Sequence, residues 1–319
     1  KRNRELLELP QTKNLKEVFM EKKVLVLTNT EDGVHTETVL TKLLEKGVPI
    51  FRFNSDLVSG GKCTVEFSIS DNGSGFELFD SSTNQRVLSS EIGSVWYRRP
   101  NIFQIKIEDP TQRKYAEAEL KTLLDGLWLI IPKAFWMSGL PELERARRKI
   151  LQLSIAKEIG LLVPRTLVTN NPAKARQFFQ LCDGSIIFKC LSEGWLDYGE
   201  ESLIIPTTLL TKSHLDQLEL VRTTPALFQA FIQKTYDVRV TVVGRKLFAA
   251  KIDSQKDPLT TVDWRHPERI ATLAYSETQL PDEVSDKCLR LINKLGLMFG
   301  AIDFAVDKTG QYYFLEVNP

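Results

Sequence analysis

The chain has 319 residues, of which 42% are hydrophobic and 26% charged, and its formal net charge is +1. These proportions are those of a globular protein, and the length allows two or three structural units with a sizeable core. The balanced charge argues against a general nucleic-acid binder, and no apolar run reaches the roughly 18 residues of a membrane span. The four cysteines have no paired metal spacing and no secretory signal is visible, which favours a reducing cytoplasm.

The first part of the chain divides into an extension and a βα domain. Residues 1–19 are Leu-rich and precede Met20, which is followed at once by an apolar strand. We therefore separate residues 1–19 from a first domain over 20–130. Apolar runs, turn residues and a stop at Gly47 predict its elements: strands at 22–28, 50–54, 63–70, 75–80, 85–89 and 129–131, and helices at 36–46 and 111–127.

The rest of the chain is predicted to contain a central subdomain, 131–226, and a C-terminal lobe, 227–319. Apolar positions spaced as on one helix face lead to a stop at Gly160. The polar stretch 192–202 is predicted to be a loop that closes over a ligand. The other elements are helices at 145–160, 172–181 and 282–295, and strands at 163–168, 185–190, 227–232, 236–243 and 246–252.

The C-terminal residues predict a β-hairpin that carries a metal site. A turn at 307–310 separates two β-rich runs, and a two-residue loop would place Asp303 opposite Phe314. Asp303 and Glu316 are then diagonal neighbours roughly 7–8 Å apart, with Asn318 on the same face. Three oxygen ligands of this kind suit a hard divalent cation, the alternative being a solvated face with scattered acids. The opposite, apolar face would carry Ile302, Phe304, Val306, Tyr313, Leu315 and Val317.

Several basic residues lie inside predicted strands. Lys189 follows three apolar residues, so its ammonium needs an anionic partner or must reach water at the strand end. Arg239 and Lys251 also lie within strands, and pairing of those strands could direct them into one pocket. Each of them could instead form a structural ion pair. Together with Lys149 they make a cationic set facing the predicted metal site, which is the arrangement that a nucleoside triphosphate with Mg²⁺ requires.

Four phrases resemble the ATP-grasp superfamily: Leu227-Phe-Gln-Ala-Phe-Ile232, Asp237-Val-Arg239-Val, Ala301-Ile-Asp303-Phe and Phe314-Leu-Glu-Val-Asn318-Pro. The match spans roughly residues 20–319. Four more resemble the microviridin-type peptide ligases, the graspetide macrocyclases: Ser94-Val-Trp-Tyr-Arg-Arg-Pro100, Val163-Pro-Arg-Thr-Leu-Val-Thr169, Tyr236-Asp-Val-Arg-Val-Thr-Val-Val-Gly244 and Asp263-Trp-Arg265.

The resemblance implies a fold class, namely α/β (α+β): an ATP-grasp fold with an N-terminal βα pre-ATP-grasp domain, a central subdomain and a C-terminal antiparallel-sheet lobe. It also implies roles for individual residues. These are contacts to ATP for Lys149, Lys189, Gln229, Ala230, Phe231 and Ile232; Mg²⁺ ligation for Asp303, Glu316 and Asn318; catalysis for Arg239, Lys251 and Arg265; and substrate binding for Arg98, Arg99 and Asp237. For Arg98 and Arg99, an interdomain salt bridge is an equal alternative to substrate binding.

The function implied is an ATP-dependent ligase that joins Asp or Glu carboxylates to Ser, Thr or Lys side chains of a ribosomally made precursor peptide, through an acyl phosphate. Its expected cofactors are ATP and Mg²⁺, and its expected partners are a leader plus an acidic core, with a homodimer allowed and no nucleic acid or membrane. Residues 1–19 are then either a leader-derived segment or a native extension. The alternatives are a glutamate-adding ATP-grasp ligase and a non-catalytic nucleotide-binding scaffold.

Overall fold

The structure is a computed structural model that describes residues 22–71, 73–100, 105–131, 134–192, 194–197 and 202–319. The predicted extension over 1–19 lies outside these residues. The chain separates into two compact units, the first ending at Leu140 and the second beginning at Pro141. Both contain helices and strands, so the predicted mixed α/β class is confirmed. No helix within the described ranges is both long and apolar enough to cross a bilayer.

The first unit is built on a four-stranded parallel sheet in the order β2-β1-β6-β7. The centre of β1 is completely buried, as expected for a strand covered on both faces of a parallel sheet. A separate antiparallel sheet has the order β3-β4-β5. The elements are β1 Lys23–Thr28, α1 Val34–Glu45, β2 Ile50–Asn54, β3 Cys63–Ser70, β4 Gly73–Asp80, β5 Gln85–Leu88, β6 Ile92–Tyr97, α2 Pro110–Leu129 and β7 Phe135–Trp136, with 3₁₀ turns at Ser55–Leu57 and Ser89–Glu91.

The strand predicted at 129–131 is wrong. Leu127 and Trp128 are buried inside α2, which ends at Leu129. A short apolar run reads the same whether it belongs to a buried strand or to the buried face of a helix. The beginning of α2 is fixed locally, because the Asp109 side chain accepts a hydrogen bond from the Gln112 amide and Pro110 occupies the first turn.

The second unit opens with helices around a four-stranded antiparallel sheet in the order β12-β9-β13-β8. The helix predicted over 145–160 is two helices separated at Arg147 and Arg148. Within the predicted loop over 192–202, residues 195–197 form a strand that pairs antiparallel with residues 202–204. The elements are α3 Leu140–Ala146, α4 Lys149–Glu158, β8 Thr166–Thr169, α5 Pro172–Leu181, β9 Ile186–Lys189, β10 Trp195–Asp197, β11 Ser202–Ile204, β12 Thr208–Leu209, α6 Lys212–Leu215 and β13 Ala226–Ala230, with a 3₁₀ turn at Leu218–Arg222.

A five-stranded antiparallel sheet, β16-β15-β14-β17-β18, completes the second unit. The apolar face of α7 packs on β14 and β17, and α7 ends at Gly296, whose φ of 78° favours glycine. A division of this unit between residues 226 and 227 stays a prediction. The elements are β14 Lys234–Val243, β15 Lys246–Ile252, β16 Tyr275–Glu277, α7 Asp282–Leu295, β17 Phe299–Asp307 and β18 Tyr312–Asn318, with 3₁₀ turns at Ser254–Lys256 and Pro258–Thr260.

The β17–β18 hairpin forms as predicted, but its register differs from the prediction. Val306 pairs with Tyr312, and a bulge between Asp303 and Phe304 places Asp303 directly opposite Glu316. The turn is one residue longer than predicted, because Asp307 bonds to Gln311 across it, and this exchanges the faces of β18 next to the turn. Phe314 therefore lies in the core beside Phe304, where Tyr313 and Leu315 were predicted to lie. The bulge inserts one extra residue and returns Glu316 to the face of Asp303.

Candidate active site

Arg239 and Asp303 form the centre of the candidate site. They are paired residues on β14 and β17, so their side chains share one face of the sheet. Arg239 donates from Nε to Asp303 Oδ1 and from Nη2 to Oδ2, each over 2.9 Å. This two-pronged geometry is the strong form of an arginine–carboxylate pair. Asp303 is only 2% exposed, so the pair lies largely out of water.

Arg265, in the segment that follows β15, brings a second guanidinium close to Asp303. Asp263 accepts hydrogen bonds from Arg265 Nε at 3.0 Å and Nη2 at 3.2 Å, which orients the side chain. The remaining nitrogen, Nη1, donates to Glu316 Oε1 and lies 3.8 Å from Asp303 Oδ2. Thr207, in the segment before β12, donates to Asp263 Oδ2 at 2.8 Å.

Trp264 packs against both guanidinium groups. Its ring centre lies 4.7 Å from the Arg239 guanidinium carbon and 5.9 Å from that of Arg265. The indole is only 5% exposed, so it shields one side of the two arginines from water. The motif Asp263-Trp264-Arg265 thus acts as one unit, with the acid orienting the arginine and the indole supporting it.

Asn318 and Gln152 complete the strand end that carries Glu316. Asn318 donates from Nδ2 to Asp303 Oδ2 at 3.1 Å. Gln152, buried on α4, donates from Nε2 to the Val317 carbonyl at 2.8 Å and accepts from the Val317 amide at 2.9 Å. Since β18 is an edge strand, these bonds fix its position between Glu316 and Asn318. Gln152 was not predicted as a site residue, although a glutamine among the apolar positions of α4 was the available signal.

Two lysines lie near this cluster on the side of β9 and α4. Lys189 Nζ donates to the Gln229 side-chain oxygen at 3.3 Å. Lys149, the first residue of α4, donates from Nζ to the carbonyls of Cys190 at 2.6 Å and Ser192 at 3.0 Å. Among the described residues neither lysine has a carboxylate within ion-pairing distance, so both can offer charge to an anion.

The electrostatics of the cluster favour ionised carboxylates. Burial raises the pKa of Glu316, but Arg265 and then Lys189 outweigh it and hold the pKa below its ordinary value. Burial by itself would lower the pKa of Arg265, but the attraction of Glu316 and Asp263 is larger and raises it above its ordinary value. For Lys189 burial prevails, and its pKa is lowered despite the attraction of Glu316 and Asp263. The cluster therefore balances its charges internally, while Lys189 still lacks a sufficient anionic partner.

The segment after β13 has backbone donors without an acceptor among the described residues. The Ala230 amide donates to the Arg165 carbonyl at 2.8 Å, and the Phe231 amide donates to the Ser185 carbonyl at 3.0 Å. The Ile232 amide makes no hydrogen bond to any residue in the described ranges. An uncommitted amide at this position suits an acceptor such as a ring nitrogen of a purine.

Lys251 lies apart from the cluster. It pairs with Val238, whereas Arg239 pairs with Ala250, so the two side chains point to opposite faces of the sheet. The expectation that strand pairing directs both into one pocket is therefore wrong. Lys251 Nζ lies 3.4 Å from Asp253 Oδ1 and 4.7 Å from the Tyr236 ring centre. Its catalytic role stays a prediction.

Asp237 is buried, with 1% of its surface exposed. Its carboxylate accepts from Lys234 Nζ at 3.0 and 2.7 Å and from the Ser254 hydroxyl at 2.5 Å. Both oxygens are thus engaged inside the protein, an arrangement that argues against the predicted contact with substrate. Its partner, Lys234, was not predicted from the sequence.

Arg98 and Arg99 follow β6 in the first unit. Arg98 Nε lies 3.3 Å from Asp32 Oδ2, and Asp32 also accepts from the hydroxyls of Thr28 at 2.8 Å and Thr36 at 2.6 Å. Arg98 therefore forms a salt bridge within the first unit rather than the interdomain bridge that was the predicted alternative. Arg99 is exposed. Binding of substrate by either residue stays a prediction.

The residues present fit a Mg²⁺ ion that is shared with phosphate. No three acidic, His or Cys side chains within the described ranges are arranged as a complete metal site. Mg²⁺ does not require one, because proteins commonly bind it through one or two carboxylates plus the phosphates of a substrate. Asp303 and Glu316 would supply two such carboxylates, and Asn318 would supply an amide oxygen.

The fold and the site together indicate the ATP-grasp class, since a hairpin with two carboxylates lies beside two arginines and two lysines. The MvdD pre-ATP grasp domain family matches residues 23–144. MdnB, a macrocyclase from Microcystis aeruginosa MRC, is 31% identical, with 93% of this chain and 91% of MdnB covered and a TM-score of 0.78. No curated protein sequence matches the chain.

Two further solved structures are similar. A RiPP-associated ATP-grasp ligase from Chryseobacterium gregarium, solved with ADP and a leader and core peptide, is 28% identical, with 93% of this chain and 89% of that chain covered and a TM-score of 0.84. The macrocyclase MdnC from Microcystis aeruginosa MRC, solved with precursor peptide MdnA, is 28% identical, with 93% and 91% covered and a TM-score of 0.82. The chain belongs to this family of graspetide-type ATP-grasp ligases.

Proposed function

We propose that the protein is an ATP-dependent ligase that crosslinks side chains of a ribosomally made precursor peptide. It would join an Asp or Glu carboxylate to a Ser, Thr or Lys side chain, giving an ester or an amide. The observation that carries the proposal is the pair of guanidinium groups held on Asp303 and Glu316, in a family whose solved members include structures bound to precursor peptides.

The proposed chemistry consists of two balanced steps. A peptide carboxylate attacks the γ-phosphorus of ATP and releases ADP, which gives an acyl phosphate. A hydroxyl or amine of the same peptide then attacks the acyl carbon, phosphate leaves, and one proton is released. The peptide has lost one water for each ring. No nucleophile of the enzyme is needed, because the protein's task is to hold both side chains close together and away from water.

Each part of the site has a role in this proposal. Lys149 and Lys189 bind the phosphates of ATP, and the Ile232 amide contacts adenine within the segment 229–232. Asp303, Glu316 and Asn318 would hold Mg²⁺, which neutralises phosphate charge when it is bound. Arg239 stabilises the negative charge that develops on the transferred phosphoryl group. Arg265 holds the acidic side chain of the core peptide, for which a planar fork suits better than an ammonium.

The test is mass spectrometry of a precursor peptide from the same gene neighbourhood after incubation with the protein, ATP and Mg²⁺. We expect loss of one water per ring, with ADP formed in equal amount. A gain in mass with free glutamate present would support glutamate addition instead. An unchanged peptide and no ADP would support a nucleotide-binding scaffold. Digestion of the product separates an ester from an amide, because only the ester is opened by mild base.

A further inference from the structure

Lys234 and Asp237 share one face of β14 although they are three residues apart. In a regular strand residues i and i+3 point to opposite faces. The pairing of β14 with β17 shifts between Lys234 and Tyr236, and this bulge turns Lys234 to the side of Asp237. The result is an ion pair whose side chains are 4% and 1% exposed.

This ion pair is bonded to the segment between β15 and Arg265. Besides Asp237, Lys234 Nζ donates to the Val262 carbonyl at 3.2 Å. Ser254, completely buried, donates to Asp237, and the buried Thr260 hydroxyl donates to the Ser254 carbonyl at 2.7 Å. The network therefore joins β14 to both ends of residues 254–262. Val262 directly precedes Asp263-Trp264-Arg265, so the network fixes the base of the motif that carries Arg265.

Arg265 is oriented from within its own segment by Asp263 and Trp264, and its side chain is 33% exposed. From outside residues 254–265, Thr207 bonds to Asp263, and the Lys234 network bonds to the start of the motif at Val262. A buried ion pair contributes little net stability compared with apolar residues of similar size, because desolvation opposes the attraction. What apolar residues cannot reproduce is the directional bond from Lys234 to the Val262 carbonyl.

We propose that Lys234 is a positioning residue that, with Asp237 and Ser254, holds residues 254–265 so that Arg265 Nη1 faces Glu316 and Asp303. The inference rests on the proposed function, in which Arg265 binds the peptide carboxylate. Lys234 itself touches no reacting group. It acts through Arg265, whereas Lys149 and Lys189 lie on α4 and β9, outside residues 254–265.

The test is a double-mutant cycle. Replacing the pair together, as Lys234→Met/Asp237→Leu, avoids leaving one charge buried and unpaired. We expect kcat/KM for crosslinking to fall by about 10²-fold, the loss that a misplacement of roughly 1 Å can cause, with nucleotide affinity unchanged. In an Arg265→Lys background the same replacement should lower kcat/KM by less than about threefold, because the arginine through which the pair acts is already gone. Equal losses in both backgrounds would overturn the proposal.

Hydrogen–deuterium exchange gives a readout that does not depend on turnover. The pair replacement should raise exchange across residues 254–265 and leave β17 and β18 protected. Unchanged exchange in 254–265 would also overturn the proposal. If the double variant does not fold, Ser254→Ala removes one bond of the network and should shift both readouts in the same direction by a smaller amount.

Lys287→Met/Glu283→Gln is the matched control, since it replaces a surface ion pair on α7 with an N–O distance of 2.6 Å. It should change neither readout. The two hypotheses remain separable: absence of crosslinking by the unaltered protein would defeat the proposed function, whereas an active protein with equal losses in the cycle would defeat only the role of Lys234.

Discussion

At the scale of single residues, the site is a set of carboxylates that are each held by a guanidinium. Arg239 binds Asp303 through two nitrogens, and Arg265 divides its nitrogens between Asp263 and Glu316. Removing one partner from such a buried pair leaves an uncompensated charge, which costs about 3–5 kcal/mol. The cluster is therefore sensitive to substitutions that change charge while keeping shape.

Glu316→Gln should abolish crosslinking, by at least about 10²-fold in kcat, while the precursor peptide still binds. The amide keeps the size of the side chain but removes the charge that both Arg265 and a divalent cation require. Mass spectrometry of the peptide measures turnover, and fluorescence anisotropy measures binding. Glu277→Gln, at an exposed position on β16, is the control and should behave as the unaltered protein. Unchanged turnover in Glu316→Gln would remove the metal assignment.

Arg239→Met and Lys251→Met should separate the two faces of the C-terminal sheet. Arg239 contacts Asp303, so we expect its loss to lower kcat by about 10²-fold or more. Lys251 lies on the opposite face near Asp253, so its loss should lower kcat by less than about tenfold. The measurement is single-turnover crosslinking at saturating ATP and peptide. If both variants lost kcat to the same large extent, Lys251 would be a catalytic residue and the two faces would not differ in function.

Part of this site followed from the sequence because short motifs keep their spacing inside a strand. Asp303, Glu316 and Asn318 were brought together by the predicted hairpin, and the structure places Arg239 and Arg265 beside them. The face on which Lys251 lies depends on the register between β14 and β15, which no local pattern gives. Gln152 and Lys234 were missed because their partners are backbone groups or lie beyond a bulge.

At the scale of elements, the turn and the bulge of the β17–β18 hairpin decide how close the acidic residues come. A regular two-residue turn would have set Asp303 and Glu316 diagonally, whereas the longer turn and the bulge together set them directly opposite each other. Directly paired residues have Cβ atoms about 4.5–5.5 Å apart, closer than the diagonal. The structure therefore offers a more compact pair of carboxylates than the sequence indicated.

Gly300→Ala should destabilise the second unit by about 1–3 kcal/mol. Gly300 lies where β17 approaches α7, and a Cβ there would meet Ile292 Cδ1 at 2.7 Å and Val317 Cγ1 at 3.2 Å. Both neighbours are buried in the core and have little room to move. Urea unfolding followed by circular dichroism gives the change in the free energy of unfolding.

Gly126→Ala is the opposite-sign control for this measurement. Gly126 lies inside α2, and an added Cβ would meet nothing within 4 Å. Alanine there should stabilise the helix by about 0.5–1 kcal/mol, because glycine loses more backbone entropy on folding. A neutral Gly300→Ala, with Gly126→Ala stabilising as expected, would show that α7 can move away from β17.

Element types were predicted well where a signal was local. Strand β2, strand β3 and helices α5 and α7 have the predicted bounds, since each ends at a turn residue or a change of periodicity. The errors fell where tertiary contacts decide. The apolar end of α2 was taken for a strand, and the break between α3 and α4 has no glycine or proline to mark it.

At the scale of the whole molecule, the second unit contains every residue of the cluster and both phosphate-binding lysines of the proposal. The first unit carries the match to the MvdD pre-ATP grasp domain. Stability of the second unit therefore controls the geometry of the proposed reaction. One element packed behind the site, α7, also carries a buried titratable group whose ionisation opposes folding.

Cys288 should make the second unit sensitive to alkali. Burial raises the pKa of this thiol on α7 from its ordinary value of 9.0 to about 12. Because the pKa is higher in the folded state, the protonated thiol contributes fully to stability below about pH 9, and this contribution is lost as the pH rises from there toward 12. One pH unit in this range corresponds to about 1.4 kcal/mol in the free energy of unfolding.

Thermal unfolding between about pH 8 and pH 10 should therefore show a steeper loss of stability for the unaltered protein than for Cys288→Ala. Cys182→Ala, which removes a partly exposed thiol, is the control and should follow the unaltered protein more closely. Parallel pH profiles for the protein and Cys288→Ala would show that the thiol reaches water before the sheet and α7 separate.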